Sequence, residues 1–248
     1  FTVDNSAPSL KLMYEKNIWE ELLKTITFGI WSKSDVTVTA NANDNISPIK
    51  SVSYHKYNGD TALGEKELDE LYNNGKFTEC KNFATISSEE RFVIYFRAED
   101  YAGNYTYVSS NGMVVDKTAP KKPSITLDIG TEDTIFNQDV PFTFAVTDPA
   151  SNGTYAGLKS VTFEVLNNGI VTQTGTYRFE DKAERVGSVS YCETILAKRN
   201  NSDKVTIRVT AVDYAGHVST AEKNLKIDID NPKVSIAYDN NLSLIHIS

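Results

Sequence analysis

The sequence has few of the residue types from which most enzyme active sites are built. Its 248 residues include two cysteines and three histidines. It contains no H-E-x-x-H zinc motif, no G-x-x-x-x-G-K-[ST] phosphate loop and no G-x-S-x-G nucleophile motif. Metal-assisted hydrolysis, phosphoryl transfer and serine-type acyl transfer each need such a set, so we predict that the chain is not an enzyme.

Two further absences narrow the range of partners. No run of 18 apolar residues occurs, so neither a membrane-spanning helix nor membrane insertion is expected. Acidic side chains outnumber basic ones by 33 to 25, the net charge is −8, and no cluster of Lys or Arg stands out. Because nucleic-acid binding needs a basic surface, a nucleic acid is not an expected partner.

What the sequence does contain is an internal repeat. An aspartate followed four residues later by proline occurs at Asp4, Asp116 and Asp228, at intervals of 112 residues. The segment D-Y-A-G recurs in the same way, starting at Asp100 and at Asp213. A period of this length is that of a whole domain and is too long for a solenoid repeat.

The repeat predicts how the chain is divided into domains. Two complete domains are expected, with the proline-containing motif at their boundaries. The predicted segments are the end of a preceding repeat (1–8), a first domain (9–116), a second domain (117–230), the start of a third repeat (231–241) and a suspected non-native tail (242–248).

Within each repeat the side chains alternate in character. Apolar residues alternate with Thr or Ala in segments 36–40 and 142–146, which is typical of strands with one buried face. Helical spacing of apolar residues is confined to short segments such as 18–23 and 67–72. We therefore predict an all-β fold of tandem immunoglobulin-like β-sandwiches in an extended array.

Each D-Y-A-G segment is predicted to be a hairpin turn. The glycine at its last position, Gly103 or Gly216, can take a positive φ without a Cβ penalty. The side chains of Asp100 and Asp213 can accept hydrogen bonds from the backbone of the same turn. These four residues are therefore predicted to be structural turn residues.

The two cysteines, Cys80 and Cys192, fall in different predicted domains. A disulfide between them would have to cross from one domain to the other within strict geometric limits. Two separate thiols are the favoured interpretation, and neither a disulfide scaffold nor a zinc site is expected.

Several motifs resemble a known family. The V-D-x-[ST]-A-P junctions, the D-x-A-G-N turn and the segment WEELLKTITFGIW (19–31) resemble the bacterial Ig-like repeats of large surface proteins in Gram-positive bacteria. Segment 44–52 is similar to the family's D-N-x-S-G-V-K-S-I pattern, with Pro48 in place of Gly. His217 stands where the turn of the family usually has Asn. The resemblance covers about residues 3–241.

The resemblance carries expectations about location and role. It implies extracellular spacer or adhesive modules of the bacterial cell surface or cell wall, with neighbouring Ig-like repeats of the same chain as partners. Such repeats often stand beside catalytic or sugar-binding domains. The family has no catalytic residues to assign to this chain, and no cofactor is implied.

Two functions therefore remain open. One is a structural spacer that presents a distal functional domain, which the constant period favours. The other is an adhesive module that binds a glycan or a host protein through exposed aromatic side chains. The candidate binding aromatics are Trp19, Tyr54, Tyr101 and Tyr214. A flat surface patch with two or more exposed rings would favour binding over a spacer.

Calcium binding is a further hypothesis. Asp44, Asp100 and Asp116 are its candidate ligands, because they lie at predicted turns and domain junctions, as do Asn45, Asp148 and Asp228. Oxygen ligands from such loops suit calcium. However, no EF-hand spacing occurs, no single loop offers enough oxygens for the ion, and Asp is also common at turns for local reasons.

Overall fold

The computed structural model describes residues 3–12, 28–151, 153–180 and 185–236. In these ranges the chain forms 17 β-strands, one α-helix and a short 3-10 helix. The predicted all-β fold is confirmed. No helix in the described ranges is long and apolar enough to cross a membrane. Cys80 and Cys192 are both free thiols.

The strands fall into two sets along the chain. The first set comprises β1 (Ser9–Leu12), β2 (Phe28–Ser32), β3 (Val36–Asn43), β4 (Ile49–Tyr57), β5 (Thr78–Cys80), β6 (Phe83–Ile86), β7 (Glu90–Asp100), β8 (Tyr105–Ser109) and β9 (Gly112–Val115), with α1 (Glu65–Asn73) between β4 and β5. The second set comprises β10 (Ser124–Leu127), β11 (Ile135–Phe136), β12 (Val140–Thr147), β13 (Leu158–Asn167), β14 (Ile170–Arg178), β15 (Ser188–Ile195), β16 (Ser202–Asp213) and β17 (Val218–Ile227), with the 3-10 helix at Ala197–Arg199.

The first nine strands form two sheets around one hydrophobic core. One sheet has the order β1-β3-β6, and the other has the order β2-β9-β7-β4-β5 with β8 also paired to β7. The pairing of β2 with β9 is parallel, and the others are antiparallel. Along β3, Val36, Val38 and Ala40 are buried in the core while the threonines between them are more exposed. The alternation in the sequence thus sets which face of the strand is buried.

The second set of strands repeats this arrangement. Its sheets have the orders β10-β12-β15 and β11-β17-β16-β13-β14, and β11 again pairs in parallel with the last strand. The backbone N–H of Asp116 donates to the carbonyl of Ser32 (2.9 Å), and that of Asp228 donates to the carbonyl of Phe136 (2.8 Å). The repeat seen in the sequence is therefore also a repeat of backbone contacts.

The D-Y-A-G segments form the hairpin turns from β7 to β8 and from β16 to β17. Gly103 has a φ of 92° and Gly216 has a φ of 90°. Each glycine N–H donates to the carbonyl of the aspartate three residues earlier, at 3.3 and 3.4 Å. Glycine adopts this positive φ without the steric penalty that a Cβ would bring.

The single described α-helix covers the outer face of β7. Leu68 of α1 packs against Val93 and Tyr95, whose neighbours along β7 face the first core. This packing explains why both faces of β7 are buried. The helical spacing at 67–72 lies within α1, and the spacing at 18–23 lies outside the described residues.

We expect fragments 9–116 and 117–230 to fold independently. Among the described residues, the two main hydrophobic cores have no member in common, so each fragment retains its whole core. Urea unfolding followed by circular dichroism should give one cooperative transition for each fragment. If neither fragment unfolds cooperatively alone, the proposed domain division is wrong.

We expect Gly103→Ala and Gly216→Ala each to lower the free energy of unfolding by about 1–2 kcal/mol, because a Cβ is strained at positive φ. Gly29→Ala is the matched control, since Gly29 has no positive φ and an added Cβ there meets no atom within 4 Å. Urea midpoints measure the three variants. Equal effects at all three positions would contradict the strain argument.

Candidate metal centres and the junction between the sandwiches

Three aspartates of the first half meet at one end of its sandwich. Asp4 precedes β1, Asp44 directly follows β3, and Asp100 is the last residue of β7. One carboxylate oxygen from each lies within 4.8 Å of those from the other two. Asp44 Oδ1 accepts hydrogen bonds from the backbone N–H groups of Ile46 and Ser47, both at 2.8 Å, so the loop after β3 holds this carboxylate in place.

Three aspartates associated with the second half form a corresponding group. Asp116 follows β9, Asp148 directly follows β12, and Asp213 is the last residue of β16. One oxygen from each again lies within 4.8 Å of the other two. The three residues are buried, with exposed fractions of 1%, 3% and 0% respectively. Because Asp116 belongs to the segment that leaves the first sandwich, this group joins the two halves.

The repeat places the same residues at the same points in both groups. Asp4 and Asp116 each accept at Oδ1 a hydrogen bond of 2.9 Å from the backbone N–H two residues later. Asp100 and Asp213 each accept at Oδ1 a hydrogen bond from the backbone N–H four residues later, at 2.9 and 2.8 Å. These local bonds fix the orientation of two of the three carboxylates in each group.

One carboxylate oxygen of the second group lacks a donor. Asp213 accepts at Oδ2 from Nδ1 of His217 (2.8 Å), and Asp116 accepts at Oδ2 from the loop after β12. Asp148 accepts at Oδ2 from the backbone N–H of Gly157 (2.7 Å). Its Oδ1 is buried and has no hydrogen-bond partner among the described residues.

Burial and mutual repulsion disfavour the charged state of this group. Loss of hydration, the charge of Asp116 and the charge of Asp213 raise the pKa of Asp148 to about 7, against opposing contributions from the Gly157 N–H and from His217. Loss of hydration also raises the pKa of Asp116. Carboxylates held in this way can share a proton or bind a hard cation.

The calcium candidates from the sequence are divided between the two groups. Asp44 and Asp100 meet in the first group, whereas Asp116 belongs to the second. Asp4 and Asp213 were not among the ligands predicted from the sequence. The 112-residue repeat contained the signal, because Asp4 is the repeat equivalent of Asp116 and Asp213 is that of Asp100.

The candidate binding aromatics lie in different environments. Tyr54 is partly buried against the first core, with its ring 6.2 Å from that of Phe96, its partner in the pairing of β4 with β7. Tyr101 is 71% exposed at its hairpin turn. Tyr214 lies at the junction between the sandwiches, and Trp19 lies outside the described residues.

Aromatic and cationic side chains meet across the junction. The rings of Trp31 on β2 and Tyr214 in the second half are 5.7 Å apart and tilted by 36°. The guanidinium carbon of Arg185 lies 4.3 Å from the centre of the Trp31 ring and 5.2 Å from that of Tyr214. Arg185 Nη2 also donates to the carbonyl of Phe28 (3.2 Å). These contacts join residues more than 150 positions apart in the chain.

Polar contacts cross the same junction. The backbone N–H of Ala156 in the second half donates to Oδ2 of Asp116. Hydrogen bonds from Ser151 of the second half and from Thr118 hold the pKa of Glu89 below its usual value. The segment between the sandwiches is therefore tied to side chains and backbone on both sides.

Comparison with known proteins gives weak matches among solved structures. No profile of a known family and no curated protein matches the sequence. Clostridium thermocellum CbhA fibronectin(III)-like modules match 94% of this chain and 100% of their own, at 14% identity and a TM-score of 0.34. A tetra-tandem repeat in the extending region of a large adhesion protein matches 90% of this chain and 49% of its own, at 15% identity and a TM-score of 0.39. A structure of a 1.5-MDa bacterial ice-binding adhesin, described for its host cell surface retention, matches 79% of this chain and 58% of its own, at 14% identity and a TM-score of 0.36. None of these likenesses assigns a role to a residue of this chain.

We predict that the metal-free protein becomes more stable as the pH falls from about 8 to about 5.5. The folded-state pKa of Asp148 is about 7, above its ordinary value of 3.8. Between these values the folded chain holds a proton that the unfolded chain has released, so this stability is present at low pH and is lost as the pH rises through 7. The gain is on the order of 2 kcal/mol in the free energy of unfolding, measured by urea titration in chelator.

The matched variants for this prediction are Asp148→Asn and Asp228→Asn. Asp148→Asn removes the titrating carboxyl and keeps His217. The free energy of unfolding should therefore depend much less on pH in this variant. Asp228 is exposed and forms the same local turn through its Oδ1 and the N–H of Asp230, so its variant should keep the wild-type dependence. An unchanged slope in Asp148→Asn would contradict the assignment.

Proposed function

We propose that the chain consists of tandem structural repeats, at 9–116 and 117–230, of a bacterial extracellular surface protein. In this role the repeats are a non-catalytic spacer that holds a distal functional domain away from the cell. The observation that carries the proposal is the junction, where Trp31, Arg185 and Tyr214 form a packed contact in place of a free linker. A spacer needs such contacts because a flexible linker would let neighbouring domains fold back on one another.

The connecting segment is short and is bonded along its length. Lys117 N–H donates to Glu89 of the first sandwich (2.8 Å). Further along, the N–H of Lys121 donates to the carbonyl of Thr147 in the second sandwich (2.8 Å). Ser219 Oγ, also in the second sandwich, donates to the carbonyl of Pro120. Anchoring on both sides limits bending between the two units and supports the spacer proposal.

The outer ends of the pair carry the same contact positions. Tyr101 is the repeat equivalent of Tyr214, and it is 71% exposed. At the other end, Ile135 is the repeat equivalent of Trp31. Trp31 precedes Ser32, whose carbonyl accepts the N–H of Asp116, and Ile135 precedes Phe136, whose carbonyl accepts the N–H of Asp228. Ile135 is 62% exposed. Exposed apolar groups at these positions fit neighbouring Ig-like repeats as the partners of each end.

An adhesive module is the second candidate, and one observation favours it. Tyr101 and Ile46 (52% exposed) lie on adjoining loops, since the Tyr101 N–H donates to the carbonyl of Pro48 (3.1 Å). Exposed aromatic and aliphatic groups in one place can bind a glycan or a host protein. The spacer is preferred because the equivalent Tyr214 packs against a neighbouring repeat.

We expect small-angle scattering of residues 1–241 to give the dimensions of an elongated pair of domains. Trp31→Ala should broaden the distribution of interdomain distances, because it removes the ring that Tyr214 and Arg185 contact. A globular profile with a large shared interface would contradict the spacer and favour a composite binding surface.

A double-mutant cycle measures the same contact in free energy. Trp31→Ala and Tyr214→Ala should show a coupling of about 0.5–1.5 kcal/mol, which is the range for an aromatic pair. Tyr101→Ala is the matched control, because it removes the same group from the same turn where the ring is exposed. Coupling of Trp31 to Tyr101 as large as that to Tyr214 would argue against a specific junction contact.

A further inference from the structure

The carboxylate of Asp148 is buried without a full set of hydrogen-bond donors among the described residues. Asp148 is 3% exposed, and its Oδ1 has no hydrogen-bond partner among the described residues. One of its carboxylate oxygens lies within 4.8 Å of a carboxylate oxygen from Asp116 and one from Asp213. A buried charge that lacks a donor costs several kcal/mol, and like charges nearby add to that cost. A bound cation removes both costs at once, because it supplies the missing partner and neutralises the repulsion.

The first group has a related feature, although Asp4 as a whole residue is only partly buried. Asp4 Oδ2 is also a buried carboxylate oxygen without a hydrogen-bond partner among the described residues. Its Oδ1 is occupied by the N–H of Ser6, so the unpartnered oxygen is the one left for a ligand. The two separate groups are built from corresponding residues 104 to 113 positions apart, and each retains one buried oxygen that no other described residue satisfies.

We propose that each group of three aspartates binds one calcium ion, so that the chain binds two. The three side chains of each group offer only carboxylate oxygens, which are hard ligands and suit calcium. Zinc prefers nitrogen and sulfur ligands, and Nδ1 of His217 is already bonded to Asp213. Magnesium keeps several of its waters and is usually held by one or two carboxylates, so three converging carboxylates favour calcium.

The placement of the ligands gives the ion a structural consequence. In the second group, Asp116 comes from the segment that leaves the first sandwich, whereas Asp148 and Asp213 belong to the second sandwich. In the first group, Asp4 lies in the segment before β1, whereas the other two ligands lie at the end of the sandwich. An ion at either position ties an entering segment to the domain that it enters. This inference rests on the carboxylate geometry and does not require the spacer function.

The test begins with the intact chain, stripped of metal by chelator and dialysed. Isothermal titration with calcium chloride should give two ions per chain. The midpoint of thermal unfolding should rise by about 10 °C when free calcium is about a hundredfold above its dissociation constant. Magnesium at the same concentration should give a smaller rise. The absence of both binding heat and a midpoint change would overturn the proposal, and an equal rise with magnesium would overturn the choice of calcium.

Asp148→Asn separates a metal ligand from a structural aspartate. The asparagine oxygen can still accept from Gly157, while its amide group can donate to the facing carboxylates. In chelator at about pH 7.5 this variant should melt higher than wild type, because the repulsion is relieved; in calcium it should have lost one ion of the two. A variant that is destabilised equally with and without calcium would show a purely structural role and overturn the assignment.

Two more variants complete the series. Asp44→Asn should remove the other ion and leave the second group intact, because the two groups have no residue in common. Asp228→Asn should still bind two ions, since Asp228 has the same motif but is exposed and outside both groups. Two ions bound by the combined Asp44→Asn and Asp148→Asn chain would overturn the placement of the sites.

Discussion

The burial of carboxylates where one sandwich joins the next is the constraint on which the junction depends. Taking three carboxylates out of water is costly unless donors, a proton or a cation compensate. The N–H of Ala156 donates to Asp116 and the ring of His217 bonds to Asp213, whereas Oδ1 of Asp148 receives no hydrogen bond from the part of the chain that the structure describes. This group holds three segments together, because each supplies it with a carboxylate or a donor. They are the segment after β9, the loop after β12 and the turn after β16.

The two repeats meet this constraint with loops of different length. Pro48 and Gly157 are equivalent, because the carbonyl of each accepts the N–H of the tyrosine in the D-Y-A-G turn. Asp44 lies four residues before the first of these positions, whereas Asp148 lies nine residues before the second. The additional residues bring Ala156 to the junction, where its N–H reaches the carboxylate that follows β9. The longer loop thus adds a contact between the sandwiches.

The acidic group and the aromatic contact share one turn. Asp213 faces the other two carboxylates, and the next residue, Tyr214, packs on Trp31, so one D-Y-A-G turn positions both contacts. In the first half the equivalent turn holds its carboxylate through the side-chain amide of Asn104, which donates to Asp100 Oδ2 (2.9 Å) and to the carbonyl of Asp4 (3.2 Å). The turn is therefore the element that connects each domain to the segment before it.

The sequence by itself determined the β-sandwich class, the repeat and the two hairpin turns. These follow from short-range chemistry, because alternation at 36–40 selects a buried face and Gly at the end of D-Y-A-G permits positive φ. Only the tertiary structure decided which aspartates meet, since Asp148 reaches its partners through strand pairing over long separations. It also decided that Tyr214 is packed while Tyr101, in an identical motif, is exposed. The environment of such a residue depends on what stands across the junction, and a local pattern does not encode that.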